Sequence, residues 1–195
     1  MLQKLNESLL AYFNSFASNG FIESIVSIFA DAPIFFLPLF FIATWIFYGI
    51  KKQRNSQEEI LFIFYSVILG ILITLIIQQF IQLERPENYL KGAGKLLLNH
   101  VPDASFPSDH ATVSFAFLTA LFLAHYRKTF WIFLPFVITM NLSRIIAGVH
   151  WPFDIIAGMF IGITASIIVF AFLKKTSFIK KINSSLIKIS LFLKL

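Results

Sequence analysis

Apolar runs long enough to cross a bilayer recur along the sequence, and that recurrence restricts the chain to a bundle of membrane helices. The runs cover about residues 33–50, 60–81, 111–124, 130–146 and 153–173. Composition agrees: 57% of the 195 residues are hydrophobic and 13% are charged, where a soluble domain carries about a quarter charged. The predicted fold class is all-α, a polytopic membrane helical bundle with about five transmembrane helices plus an N-terminal interfacial or partly inserted helix. There is no cysteine, which removes disulfides, zinc-thiolate sites and thiol catalysis.

Three regions follow from where polarity changes. Residues 1–31 form an interfacial or re-entrant segment, with Leu9, Leu10, Phe13 and Phe16 at helical spacing and Asn6, Glu7, Asn14 and Ser18 between them. After Asn19-Gly20, an apolar stretch carries Glu23 and stops at Asp31. Residues 32–175 are the transmembrane core, with Pro135 as a candidate kink. Residues 176–195 alternate Ile and Leu with Lys180, Lys181, Lys188 and Lys194, which predicts a basic amphipathic tail on the cytoplasmic surface.

Loop charge sets the orientation. Eleven of the sixteen basic residues fall on one side: Lys51, Lys52, Arg54, Arg127, Lys128, Lys174, Lys175 and the tail residues Lys180, Lys181, Lys188 and Lys194. Four, namely Arg85, Lys91, Lys95 and Arg144, fall on the other, and Lys4 is unassigned. The positive-inside rule makes the first side cytoplasmic. The net charge of +6 therefore needs no nucleic acid to explain it.

Three polar clusters share the external side. Ser143-Arg-Ile-Ile-Ala-Gly-Val-His-Trp-Pro-Phe-Asp154 ends one apolar run and opens the next. Pro152 suits the first turn of a helix, which puts Asp154 in that turn and His150 just before it. A carboxylate there can accept one imidazole N–H and leave the other nitrogen nucleophilic. Phe106-Pro-Ser-Asp-His110 opens the third run, with Ser108 as N-cap and a helix N-terminus suited to anions. Glu84-Arg85-Pro86 follows the second run. Two arginines, a hydroxyl and a helix N-terminus make a cradle for phosphate oxygens, and two histidines allow nucleophile and acid to be separate groups. Glu84 and Glu87 lack a companion carboxylate cluster, so no metal and no cofactor is expected. His125, at the cytoplasmic end of its run, and His100, in the long external loop, serve as controls outside the site.

These clusters resemble the signature of the type 2 phosphatidic acid phosphatase family: Lys-x6-Arg-Pro, then Pro-Ser-Gly-His, then Ser-Arg-x5-His-x3-Asp. The third motif matches at Ser143, Arg144, His150 and Asp154. The second appears as Pro107-Ser108-Asp109-His110, with Asp for Gly, and the first keeps Arg85 and Pro86 but has Gln78 for Lys. Asp103-Ala-Ser-Phe-Pro-Ser-Asp-His110 and Gly148-Val-His-Trp-Pro-Phe-Asp154 look most like the bacitracin-resistance branch, whose members are undecaprenyl pyrophosphate phosphatases of bacterial inner membranes.

The resemblance implies that His150 attacks phosphorus to give a phosphohistidine, that Asp154 orients His150, and that His110 protonates the leaving oxygen. It implies that Arg85, Arg144, Ser108, Ser143, the backbone near Asp109, and Gln78 in place of the lysine hold phosphate oxygens; Lys91 and Lys95 are alternatives for the missing charge. The expected partners are membrane lipid and a lipid-linked phosphate or pyrophosphate, with undecaprenyl pyrophosphate preferred, and nucleic acid is not a partner. Phosphatidylglycerol phosphate, phosphatidate or lipid A are the alternative substrates. A non-catalytic lipid or anion transporter built on the same cradle is the alternative from another class. The sequence leaves the oligomeric state open.

Overall fold

The structure is a computed structural model that describes residues 1–30, 32–90, 94–97 and 104–192. Asp31, Lys91, His100, Asp103 and Lys194 lie outside the described residues. Helices are α1 (Leu2–Asn14), α2 (Gly20–Phe29), α3 (Ala32–Ile50), α4 (Arg54–Phe80), the single turn α5 (Glu87–Leu90), α6 (Asp109–Leu123), α7 (Arg127–Ile146), α8 (Pro152–Ala171) and α9 (Ser177–Phe192). The five expected spans correspond to α3, α4, α6, α7 and α8. Among the described residues, three helical stretches are long and apolar enough to cross a membrane: Arg54–Phe80, Arg127–Ile146 and Pro152–Lys175. Two more, Phe35–Ile50 and Asp109–Leu123, are apolar but shorter. Exposed Leu39, Ile42, Leu72, Ile76, Trp131 and Phe160 give the bundle a surface that lipid, not water, satisfies.

Helix α4 starts at Arg54 rather than near Ile60, because the polar turn before the apolar run continues the helix beyond the hydrocarbon. Gln57 in that turn is buried. Pro38 and Pro135 both lie inside helices, α3 and α7 respectively.

Helix α6 is the axis of the bundle. Along α8, Gly158 and Gly162 face it so closely that an added Cβ would lie 2.5 Å from the Ser108 carbonyl and 2.3 Å from the Thr112 carbonyl. Small residues one turn apart let two backbones approach in this way. Ser166 continues the seam, its hydroxyl donating to the Ala116 carbonyl at 2.8 Å. Thr112 pairs with Thr74 of α4 at 2.9 Å, and Asn141 of α7 donates to Ser114 at 3.1 Å. At the end near Lys174, that ammonium meets Glu59 of α4 at 2.5 Å.

The terminal helices are docked to the bundle as well. On α1, Asn6, Leu10 and Asn14 are buried, one turn apart. The sequence reads these asparagines as interspersed polar residues of an interfacial helix; in the structure both turn inward and bond to protein. Asn14 donates to the carbonyls of Lys95 (2.7 Å) and Ile146 (2.8 Å) and accepts from Lys95 N–H (2.9 Å). Asn6 accepts from Phe153 N–H at 3.2 Å. On α9, Asn183 is buried and accepts from the Tyr65 hydroxyl at 2.8 Å, and Ser190 accepts from Trp45 Nε1 at 3.1 Å.

Candidate active site

The turn between α7 and α8 is dictated residue by residue. Gly148, at φ +76°, takes the left-handed conformation that ends α7. Its N–H bonds to the Ile145 carbonyl at 3.0 Å, and Val149 N–H bonds to the Arg144 carbonyl at 3.2 Å, the paired bonds of a Schellman ending. A Cβ at Gly148 would also lie 2.4 Å from Leu90 Cδ1. Two residues on stands His150. Pro152 then opens α8, and Asp154 Oδ2 accepts the Trp151 N–H at 3.0 Å, holding the helix start. The Trp151 indole reaches back to the Glu84 carbonyl at 2.9 Å, tying this turn to the segment that carries Arg85.

His150 is buried, and its neighbours determine its tautomer. Nδ1 lies 3.1 Å from the Ser105 carbonyl, and Nε2 lies 3.2 Å from Arg85 Nη1. A carbonyl only accepts and a guanidinium only donates, so Nδ1 carries the proton and Nε2 presents a lone pair. Burial and the positive charges of Arg144 and Arg85 push the imidazole well below its usual pKa, against a smaller opposing pull from Asp109. The ring is therefore held neutral, in a nucleophilic form.

Asp154 stands 3.6 Å from Nδ1. Its Oδ2 is nearer to other donors, the Ser105 hydroxyl at 2.5 Å and Trp151 N–H. The sequence expectation of a direct Asp154–His150 bond is thus modified: Ser105 stands between them, donating its hydroxyl to one and lending its carbonyl to the other. Ser105 was missed because, although it falls within Asp103-Ala-Ser-Phe-Pro-Ser-Asp-His110, nothing in that stretch marks it as the partner of His150 and Asp154.

The other expected residues converge to different degrees. Ser108 is the buried N-cap of α6, accepting from Ala111 N–H at 3.4 Å, and its own N–H meets the Asp154 carbonyl at 3.2 Å. Asp109 turns to its neighbour, with Oδ1 at 3.0 Å from His110 Nδ1 and 2.9 Å from His110 N–H. Arg85 also donates to the Val149 carbonyl at 2.7 Å. Arg144 is fully buried and donates to the Ala30 carbonyl at 3.4 Å, which brings the end of α2 to the site. Ser143 is buried beside it on α7. Gln78 donates its amide to the Pro107 carbonyl at 3.1 Å, next to Ser108, and braces the entrance to α6. Lys95, an alternative for the missing charge, pairs with Glu23 at 2.7 Å. His125 sits at the α6–α7 turn, away from the site.

Two cavities open at this cluster. One of about 490 Å³ runs between α3, α4 and α6, lined by apolar residues including Leu37, Phe41, Val67, Ile71 and Val113, and reaches Asp109 and His110. The other, of about 480 Å³, is bounded by the first turns of α1 and by Arg85, Phe106, Trp151 and Asp154.

The arrangement of Arg85, Ser108–His110 and Arg144–Asp154 coincides with a family match: residues 59–178 fit the PAP2 superfamily. The chain belongs to the PAP2 superfamily. It is 28% identical over 182 residues, 93% of this chain and 87% of the relative, to the bacitracin transport permease protein BcrC of Bacillus licheniformis. It is 28% identical over 154 residues, 79% of this chain and 76% of the relative, to the undecaprenyl-diphosphatase BcrC of Bacillus subtilis. The crystal structure of Aquifex aeolicus LpxE superposes with a TM-score of 0.71 at 25% identity, covering 86% of this chain and 96% of that one. The PAP2 match begins inside α4, so α1 and α2, which contact the site turn through Asn6, Asn14 and Ala30, lie outside it.

Proposed function

We propose that this PAP2 protein is a metal-independent lipid phosphatase that converts undecaprenyl pyrophosphate to undecaprenyl phosphate through a phosphohistidine. The observation that carries the reading is the apolar cavity between α3, α4 and α6 that ends on Asp109 and His110. A chain lying there brings its headgroup to the place where, among the described residues, arginines, a helix N-terminus and a neutral imidazole meet. The bacterial relatives named for bacitracin and for undecaprenyl-diphosphatase support a prenyl chain as its occupant. Loop charge supports a cytoplasmic membrane location with the site on the outer face.

In the proposed reaction the His150 Nε2 lone pair forms the N–P bond as the bridging P–O bond breaks. The leaving lipid phosphate oxygen takes a proton from His110. Nδ1–H stays on the Ser105 carbonyl, and the Asp154 carboxylate 3.6 Å away offsets the positive charge that the phosphoimidazole acquires. Water then attacks phosphorus, the N–P bond breaks, the water proton passes to His110, and inorganic phosphate leaves. Arg85, Arg144, Ser108 and the first N–H groups of α6 stabilise the equatorial oxygens. Arg85, which meets Nε2 in the structure, moves to the phosphate when substrate arrives and uncovers the lone pair.

The name of the Bacillus licheniformis relative favours a second reading, transport without hydrolysis. One experiment separates them: phosphate release by purified protein in EDTA from undecaprenyl pyrophosphate, phosphatidate and phosphatidylglycerol phosphate, repeated with His150→Ala. Release that survives EDTA and vanishes in the variant is the expected result, and the preferred lipid identifies the substrate. Monodisperse protein that binds these lipids and releases no phosphate supports transport.

A further inference from the structure

We infer that Asp109 is a positioning residue for the acid, so that the site contains a second Asp–His pair, Asp109–His110, beside the one built on His150. The inference rests on the reading of His110 as the group that protonates the leaving oxygen. Its grounds are geometric. Asp109 is the first residue of α6, where a carboxylate is favoured by the helix N-terminus and is a poor neighbour for a phosphate. Its Oδ1 resolves that conflict by bonding to His110 twice, at Nδ1 (3.0 Å) and at the backbone N–H (2.9 Å). The carboxylate is acceptor-only when ionised, so the Nδ1 it faces carries a proton.

That contact assigns the two ring nitrogens. Nδ1–H stays on Asp109 throughout, and Nε2 is the nitrogen that gives its proton to the leaving oxygen and takes one back from water. The ring enters the first step with both nitrogens protonated, opposite a carboxylate that balances its charge, and leaves that step neutral. The backbone N–H anchors the carboxylate oxygen, and the hydrogen bond from Nδ1 to that oxygen restricts rotation of the ring. His110 lines the end of the apolar cavity, so a ring held this way meets the bridging oxygen that leaves with the lipid phosphate. The two dyads have opposite chemistry. His150 is kept neutral by burial and arginines, and its nearest Nδ1 partner is an uncharged carbonyl. His110 has a carboxylate in that place.

A proton donor matters in proportion to how poor the leaving group is, and this is a property that loss of structure does not mimic. The test measures kcat/KM for p-nitrophenyl, phenyl and p-methoxyphenyl phosphate on wild type, Asp109→Ala, Asp109→Asn and His110→Ala. Wild type is expected to show a shallow dependence on leaving-group basicity. Asp109→Ala is expected to steepen it, with a loss on the order of 10-fold to 100-fold greater for the most basic leaving group than for p-nitrophenol. Asp109→Asn, which keeps an acceptor for Nδ1–H without the charge, is expected between them. A lower line parallel to wild type for Asp109→Ala, or an unchanged line, overturns the proposal. His110→Ala separates the two levels: if it is steep while Asp109→Ala is parallel, only the role of Asp109 fails; if it is parallel as well, the acid assignment of His110 fails first.

Discussion

The Nδ1 of His150 lies closer to the carbonyl of Ser105, at 3.1 Å, than to the carboxylate of Asp154, at 3.6 Å. The proposed nucleophile is thus oriented by a backbone group, and the Ser105 hydroxyl holds the carboxylate alongside. Asp154 caps α8 through the Trp151 N–H at the same time.

Ser105→Ala separates these roles, because it removes the hydroxyl and leaves the carbonyl. A buried carboxylate oxygen short of one donor costs about 1–3 kcal/mol. If about 1.4 kcal/mol of that falls on the transition state, kcat drops about tenfold. Ser105→Thr, which keeps the hydroxyl, is expected to recover most of it. Steady-state phosphate release by the two variants is the measurement.

The pH dependence follows from His150 and Asp154. The His150 pKa is depressed in the folded protein, so the unfolded chain binds the extra proton first as pH falls through about 6.5. The neutral ring's contribution to stability is present above the unfolded value and is lost on acidification. Asp154 acts in the opposite sense, because burial pushes its carboxyl up to about 6 and the folded protein takes up that proton first. Lowering pH from about 7.5 to 5.5 should therefore reduce the melting temperature of wild type relative to that of His150→Gln. The acid limb of kcat/KM should lie near pH 6, where the Asp154 carboxyl is pushed up by burial, and move upward in Arg85→Gln, which removes a charge that lowers both Asp154 and His150.

The apolar cavity makes a prediction about chain length. Val113→Trp fills it one turn below His110. A loss of uniform binding worth about 1.4 kcal/mol raises KM about tenfold with kcat unchanged. That rise is expected for a long-chain lipid pyrophosphate and not for p-nitrophenyl phosphate. Equal effects on both would assign the cavity a packing role.

Asn14→Ala tests whether α1 supports the site. The side chain makes three bonds to backbone, one of them to Ile146, two residues before Gly148. Losing them should cost about 2–3 kcal/mol at about 1 kcal/mol each. The expected readings are a lower melting temperature and a lower kcat, since Arg144 and His150 flank the loosened turn.

Much of this protein is legible along the chain, because its strongest determinants are local. Apolar runs separated by polar breaks define α3, α4, α6, α7 and α8, since each helix must satisfy its own backbone in lipid. The spacing in Ser143–Asp154 specifies a helix end, a turn and a proline-started helix, and it identifies His150 and Asp154 before any contact is known. What only the tertiary structure decided depends on distant segments meeting. Gln78 reads as a phosphate ligand by motif position, and its amide goes to Pro107 because α4 ends beside the entrance to α6. Asn6 and Asn14 read as surface polarity, and they are buried because α1 lies against the α7–α8 turn. Ser105 lies in the Asp103–His110 stretch without any sign there of its role, and it becomes the partner of His150 when the loop before α6 packs on that turn. Periodicity and spacing report what a segment must bury; they do not report which donor a buried nitrogen will meet, and that meeting decides the chemistry of the site.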